Sequence, residues 1–78
     1  MLSIELQNRG FCVLPPDGFS YLDDHDRFCE VMMSGGAGAN EVEGPCLNGC
    51  YGVTFSHDER TDDELRAAIE AAFLKLKE

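Results

Sequence analysis

Tryptophan is absent from this chain, proline occurs only three times, and basic residues number six among 78. No apolar run approaches the ~18 residues of a membrane-spanning helix. The opening Met1-Leu2-Ser3-Ile4-Glu5 lacks the basic start and continuous apolar stretch of a secretory signal. The expectation is a cytoplasmic protein whose thiols stay reduced. Catalytic signatures are missing too. There is no G-x-S-x-G and no H-E-x-x-H, and the glycine stretch at 34–38 runs into Ala39-Asn40-Glu41 with no lysine to hold a phosphate. A pairing such as Cys29 with His25 would need geometry that sequence does not supply. With no complete site in view, the chain reads as a non-enzyme.

What is present is apolar enough to fold. Hydrophobic residues make up 44%, with five Phe and two Tyr, so the chain is not intrinsically disordered. Its length allows one domain, 1–78, with a core worth only roughly 3–5 kcal/mol of net stability. Charge is the outlying property. Fifteen acidic residues against six basic give −9, spread over both halves of the chain. Such a surface repels nucleic acid and anionic membranes and attracts basic protein patches or cations. The plainer reading is that the charge keeps a small protein dissolved.

The strongest local signal is a C-terminal helix over about 62–76. Thr61 is a good N-cap, and Glu64 three residues on completes a T-x-x-E capping box. Asp62, Asp63 and Glu64 in the first turn and Lys75 and Lys77 in the last suit the helix dipole. Leu65, Ile69, Ala72, Phe73 and Leu76 form one apolar stripe, which needs a sheet to lie on.

The remaining segments read as strands. Leu2, Ile4 and Leu6 alternate with polar residues, and Gln7-Asn8-Arg9-Gly10 fits a turn closing a hairpin with Phe11 to Leu14; the rival for residues 2–8 is a short helix. Pro15-Pro16-Asp17-Gly18 is a break, and Phe19 to Leu22 suits a short edge strand. Arg27 to Met33 alternates with Cys29, Val31 and Met33 on one apolar face, which predicts a strand. The run from Ser34 to Gly44 predicts a long flexible connection, and Tyr51 to Ser56 a last strand. The predicted fold is α+β: an antiparallel sheet of three to five strands with one C-terminal helix across a face.

Three groups of residues are candidates for function. Cys46 and Cys50 form a C-x3-C pair, the spacing of half a zinc site, and Cys12 and Cys29 lie on strands that a meander can make neighbours. The segment from Cys46 to Phe55 resembles thioredoxin-like [2Fe–2S] ferredoxins, which carry a C-x3-C loop before a strand and are acidic. The resemblance implies an iron–sulfur cluster but covers only that segment, and Cys12 and Cys29 are too far apart for that family's first pair. Clustered carboxylates are the second group: Asp23, Asp24 and Asp26 around His25, then Asp58, Glu59, Asp62 and Asp63 after His57. Neither run has the D-x-D-x-D-G spacing of a calcium loop. Charge runs of this kind often form solvated turns and helix starts. They can also imitate nucleic-acid phosphates and occupy a basic groove, as small acidic inhibitors from phages and other mobile elements do. The third group, Ala67, Ala71 and Leu74, faces away from the helix stripe and suits a homodimer contact.

The expected function is therefore a small acidic interaction protein without enzymatic activity, cofactor or membrane association. It binds no nucleic acid itself. It binds a basic protein surface, as an inhibitor or nucleic-acid mimic, through Asp23, Asp24, Asp26, Asp58, Glu59, Asp62 and Asp63. The alternative is a metal-binding domain, zinc or iron–sulfur, using Cys46 and Cys50 with Cys12 and Cys29.

Overall fold

The computed structural model describes residues 8–33 and 36–76. Its elements run β1 (Arg9–Val13), α1 (His25–Met32), β2 (Glu41–Glu43), β3 (Tyr51–Phe55) and α2 (Asp62–Leu76). The strands form an antiparallel sheet in the order β1-β3-β2, so β3 is central. Cys12 lies opposite Gly52 and Val13 opposite Tyr51, while Glu43 meets Gly52 from the other side. The protein is a small α+β fold with its second helix at the C-terminus.

Strand alternation divides the sheet into two unlike faces. Phe11, Val13, Val42, Tyr51, Val53 and Phe55 share one face, and the helices pack there with Phe28, Val31, Met32, Leu65, Ile69 and Ala72. Phe28 lies 4.3 Å from Tyr51 between ring centroids, and Phe11 meets Phe55 edge to face at 5.9 Å. The other face carries Gly10, Cys12, Glu41, Glu43, Gly52 and Thr54, and no described helix lies on it.

α2 forms as expected. The Thr61 hydroxyl accepts the Glu64 N–H at 3.2 Å, and the Glu64 carboxylate accepts the Thr61 N–H at 2.8 Å, so the capping box closes in both directions. Backbone and side-chain donation by Thr61 also holds the Glu64 carboxyl below its ordinary value.

Several expectations are corrected. Arg27 to Met33 is not a strand; it belongs mainly to the helix α1. Phe28, Val31 and Met32 recur at i, i+3 and i+4 and are the buried residues, and Asp24 stands at the N-cap position. Phe19 to Leu22 forms turns that support this helix: the Asp24 carboxylate accepts the Ser20 N–H at 2.9 Å, and the Ser20 hydroxyl accepts the Asp23 N–H. Arg9 and Gly10 extend β1 and do not close a turn. The predicted strand over residues 2–6 lies outside the described residues. The connection after α1 is tightly held where it is described. Ala37 and Ala39 are buried, their N–H groups donate to the Val31 and Met32 carbonyls, and β2 follows directly.

Candidate functional site

The acidic residues fall into two groups set by the helices. Arg27 donates to the Lys75 carbonyl at 3.2 Å, whereas Arg60, just before α2, donates to the Ala37 carbonyl, just after α1. The helices are thus antiparallel, and their acidic starts lie at opposite ends of the layer. The 15 residues of α2 span about 22 Å, so the run at 23–26 and the run at 58–63 are separated by roughly that distance.

Within each run the carboxylates have different roles. Asp24 is half-buried and bonded to Ser20. Asp58 is held by Arg60 in a two-pronged pair, Nε to Oδ1 at 2.9 Å and an NH2 nitrogen to Oδ2 at 2.8 Å, while Oδ1 also accepts the Arg60 N–H. The Arg60 side-chain hydrogen bonds hold the Asp58 carboxyl at about 2. Asp62 pairs with Arg9 at 3.3 Å. Asp23, Asp26, Glu59 and Asp63 are exposed and take part in no ion pair among the described residues. Glu41 and Glu43, within the stretch expected to be a flexible connection, are exposed on β2 as well.

The described arginines are engaged internally. Arg9 donates to the Asp58 and Arg60 carbonyls and ties the start of β1 to the loop before α2. The Arg60 guanidinium lies over the Phe55 ring at 5.5 Å, and that of Arg66 over Phe11 at 5.6 Å. Arg27 pairs with Glu30 one turn on. The roles of Arg9 and Arg66 were not legible in the sequence, because they depend on contacts between distant segments.

Three of the four cysteines come together where β1 meets the loop before β3. The loop is shaped by hydrogen bonds from the Cys46 N–H to the Cys50 carbonyl and from the Gly49 N–H to the Cys46 carbonyl, both 2.8 Å. Tyr21 O–H donates to the Gly49 carbonyl at 2.8 Å, and a side chain at Gly49, whose φ is +85°, would collide with that hydroxyl. Cys12 and Cys50 approach on the uncovered face, where Gly52, opposite Cys12, carries no side chain. Their sulfurs are 2.6 Å apart. The Cys12 S–H donates to the Cys50 sulfur, which holds Cys12 above the ordinary thiol value and Cys50 below it. Asn48 Oδ1 lies 3.0 Å from the same sulfur. Burial, then the neighbouring Cys50, pushes the Cys46 thiol up. Cys12 and Cys46 are exposed, and Cys50 retains 5% of its surface.

Cys29 does not join them. It lies on α1, with its sulfur 3.8 Å from His25 Nε2, and His25 Nδ1 is 3.0 Å from the hydroxyl of buried Tyr51. Burial, then Asp26, raises the Cys29 thiol. Among the described residues no three His, Cys, Asp or Glu are placed to hold a metal ion. Two thiolates on one tetrahedral zinc stand about 3.8 Å apart, given Zn–S bonds of about 2.3 Å. Cys12 and Cys50 are closer than that. The ferredoxin resemblance stops at the loop, since the described sheet has only antiparallel pairs.

Ala67, Ala71 and Leu74 are exposed on α2, with Leu74 retaining 65% of its surface, so the face expected to take a second copy lies outside the core. No described helix is long and apolar enough to cross a membrane. No family model, curated protein or solved structure matches this chain significantly.

Proposed function

We propose that this protein is a small acidic interaction module, without enzymatic activity, that binds a basic surface on a protein partner. It would act as an inhibitor or nucleic-acid mimic at a groove that otherwise holds phosphates. The disposition of the cations carries this reading. Arg9, Arg27, Arg60 and Arg66 are turned onto the protein's own carbonyls, carboxylates and rings, while Asp23, Asp26, Glu59 and Asp63 stand exposed and unpaired among the described residues. Carboxylates held about 22 Å apart by two packed helices present separated negative charge on a rigid frame, as a phosphate backbone does. Lysine and arginine side chains serve both kinds of anion.

The test is a binding screen against purified nucleic-acid-binding domains, with an unrelated acidic protein of equal charge as control. The expected outcome is at least one domain bound in preference to the control. Binding should weaken in a variant carrying Asp23→Asn and Asp26→Asn, in one carrying Glu59→Gln and Asp63→Asn, or in both. Neither variant touches Asp24 or Asp58, so far-UV circular dichroism should be unchanged. Full binding by both variants would sink the proposal.

The alternative, a zinc or iron–sulfur site, is favoured by the gathering of Cys12, Cys46 and Cys50 and disfavoured by the separation of Cys29. Native mass spectrometry of protein purified without chelator separates the readings: a bare polypeptide mass fits the acidic module, and a metal-sized excess lost on denaturation fits the alternative.

A further inference from the structure

We infer that Cys12 and Cys50 form a thiol–disulfide exchange pair, closing to a disulfide that ties β1 to the loop just before the central strand β3. This rests on residues distinct from those of the proposed interaction surface. Three observations carry it. The two sulfurs are in direct contact, closer than a shared zinc ion would hold them. Gly52, opposite Cys12 on β3, places no side chain beside it. Cys12 is exposed on a face that no described helix covers, so an oxidant can reach it, while Cys50 lies beneath with only 5% of its surface open.

The division of burial assigns the roles. An incoming low-molecular-weight disulfide, R–S–S–R, meets Cys12 first. The Cys12 sulfur attacks one sulfur of the oxidant, the S–S bond breaks, and the first thiol, RSH, leaves with the proton from Cys12. Cys50 then attacks the Cys12 sulfur of the mixed disulfide and expels the second RS−, which takes up the proton that Cys50 has given up. Two protein thiols are oxidised to one disulfide and the reagent is reduced to two thiols. A resolving thiol works best when it is already in contact with the sulfur it attacks, and Cys50 stands against the Cys12 sulfur.

The experiment is to incubate the full chain with oxidised glutathione, alkylate, digest without reduction and map the cysteines by mass spectrometry. The expected product is a peptide pair linked through Cys12 and Cys50, with Cys29 alkylated. The Cys50→Ser variant should accumulate glutathione on Cys12, the mixed disulfide lasting about tenfold longer or more than in the parent chain. Cys46→Ser should still form the bridge. The inference fails if Cys46 and Cys50 are the linked pair, if Cys12 and Cys50 are both recovered alkylated, or if the Cys12 adduct persists equally in the parent chain. Mapping the parent chain needs no substitution, so a variant that fails to fold does not weaken the test.

Discussion

Asp58 shows how a single carboxylate in an acidic run can be structural. Its two oxygens take the Arg60 guanidinium and backbone N–H, Arg60 continues to the Ala37 carbonyl, and Arg9 closes on the Asp58 carbonyl. These bonds hold the folded carboxyl at about 2, against an ordinary 3.8. Between those values the unfolded chain binds a proton that the folded chain does not, so stability must fall as pH drops from about 4 to about 2. Asp58→Asn should lower the melting temperature at neutral pH and flatten that part of the acid profile. Thermal melts of both proteins across the range check this, and parallel profiles would contradict it. Gly36 makes a second residue-scale prediction. A Cβ there would lie 1.7 Å from the Val31 carbonyl oxygen, inside any contact distance, where the chain folds back on the end of α1. Gly36→Ala should therefore cost about 2 kcal/mol or more of unfolding free energy in urea titrations, more than a surface substitution does.

At the scale of elements, the outcome divides between signals that are local and those that are not. α2 was legible because its cap, its dipole charges and its apolar stripe all lie within the seventeen residues 61–77 and agree. Thr61→Ala should cost about 1 kcal/mol, measured by denaturant unfolding, since it removes one arm of a closed capping box. β3 was legible from Tyr51, Val53 and Phe55, all now buried. α1 was misread because eight residues are too few to separate the two periods. Cys29, Val31 and Met33 satisfy a strand as well as Phe28, Val31 and Met32 satisfy a helix, and the packing of Phe28 against Tyr51 decides. β2 was missed because three residues among glycines carry no periodicity; pairing with β3 makes it a strand. The candidate sites divide in the same way. Residue types named Cys46, Cys50, Cys12 and Cys29 together, but the strand reading of residues 27–33 hid the i,i+4 spacing that sets Cys29 beside His25 on the helix, and nothing in the run of charges said that Asp24 and Asp58 are bonded within the fold.

At the scale of the whole molecule, the sheet has one covered and one uncovered face, and the helix layer ends in acid at both extremities. The described arginines are engaged by the protein's own carbonyls, carboxylates and rings, so the charge of −9 is presented outward largely by unpaired carboxylates. A partner with a basic groove gains its attraction from these carboxylates, and dissolved salt must weaken it. The direct measurement is the affinity for a domain identified in the binding screen, followed from about 50 to about 300 mM salt and repeated with duplex nucleic acid as competitor. The account predicts a dissociation constant that rises steeply with salt and displacement by the nucleic acid. Binding indifferent to salt, or unaffected by the competitor, would contradict it.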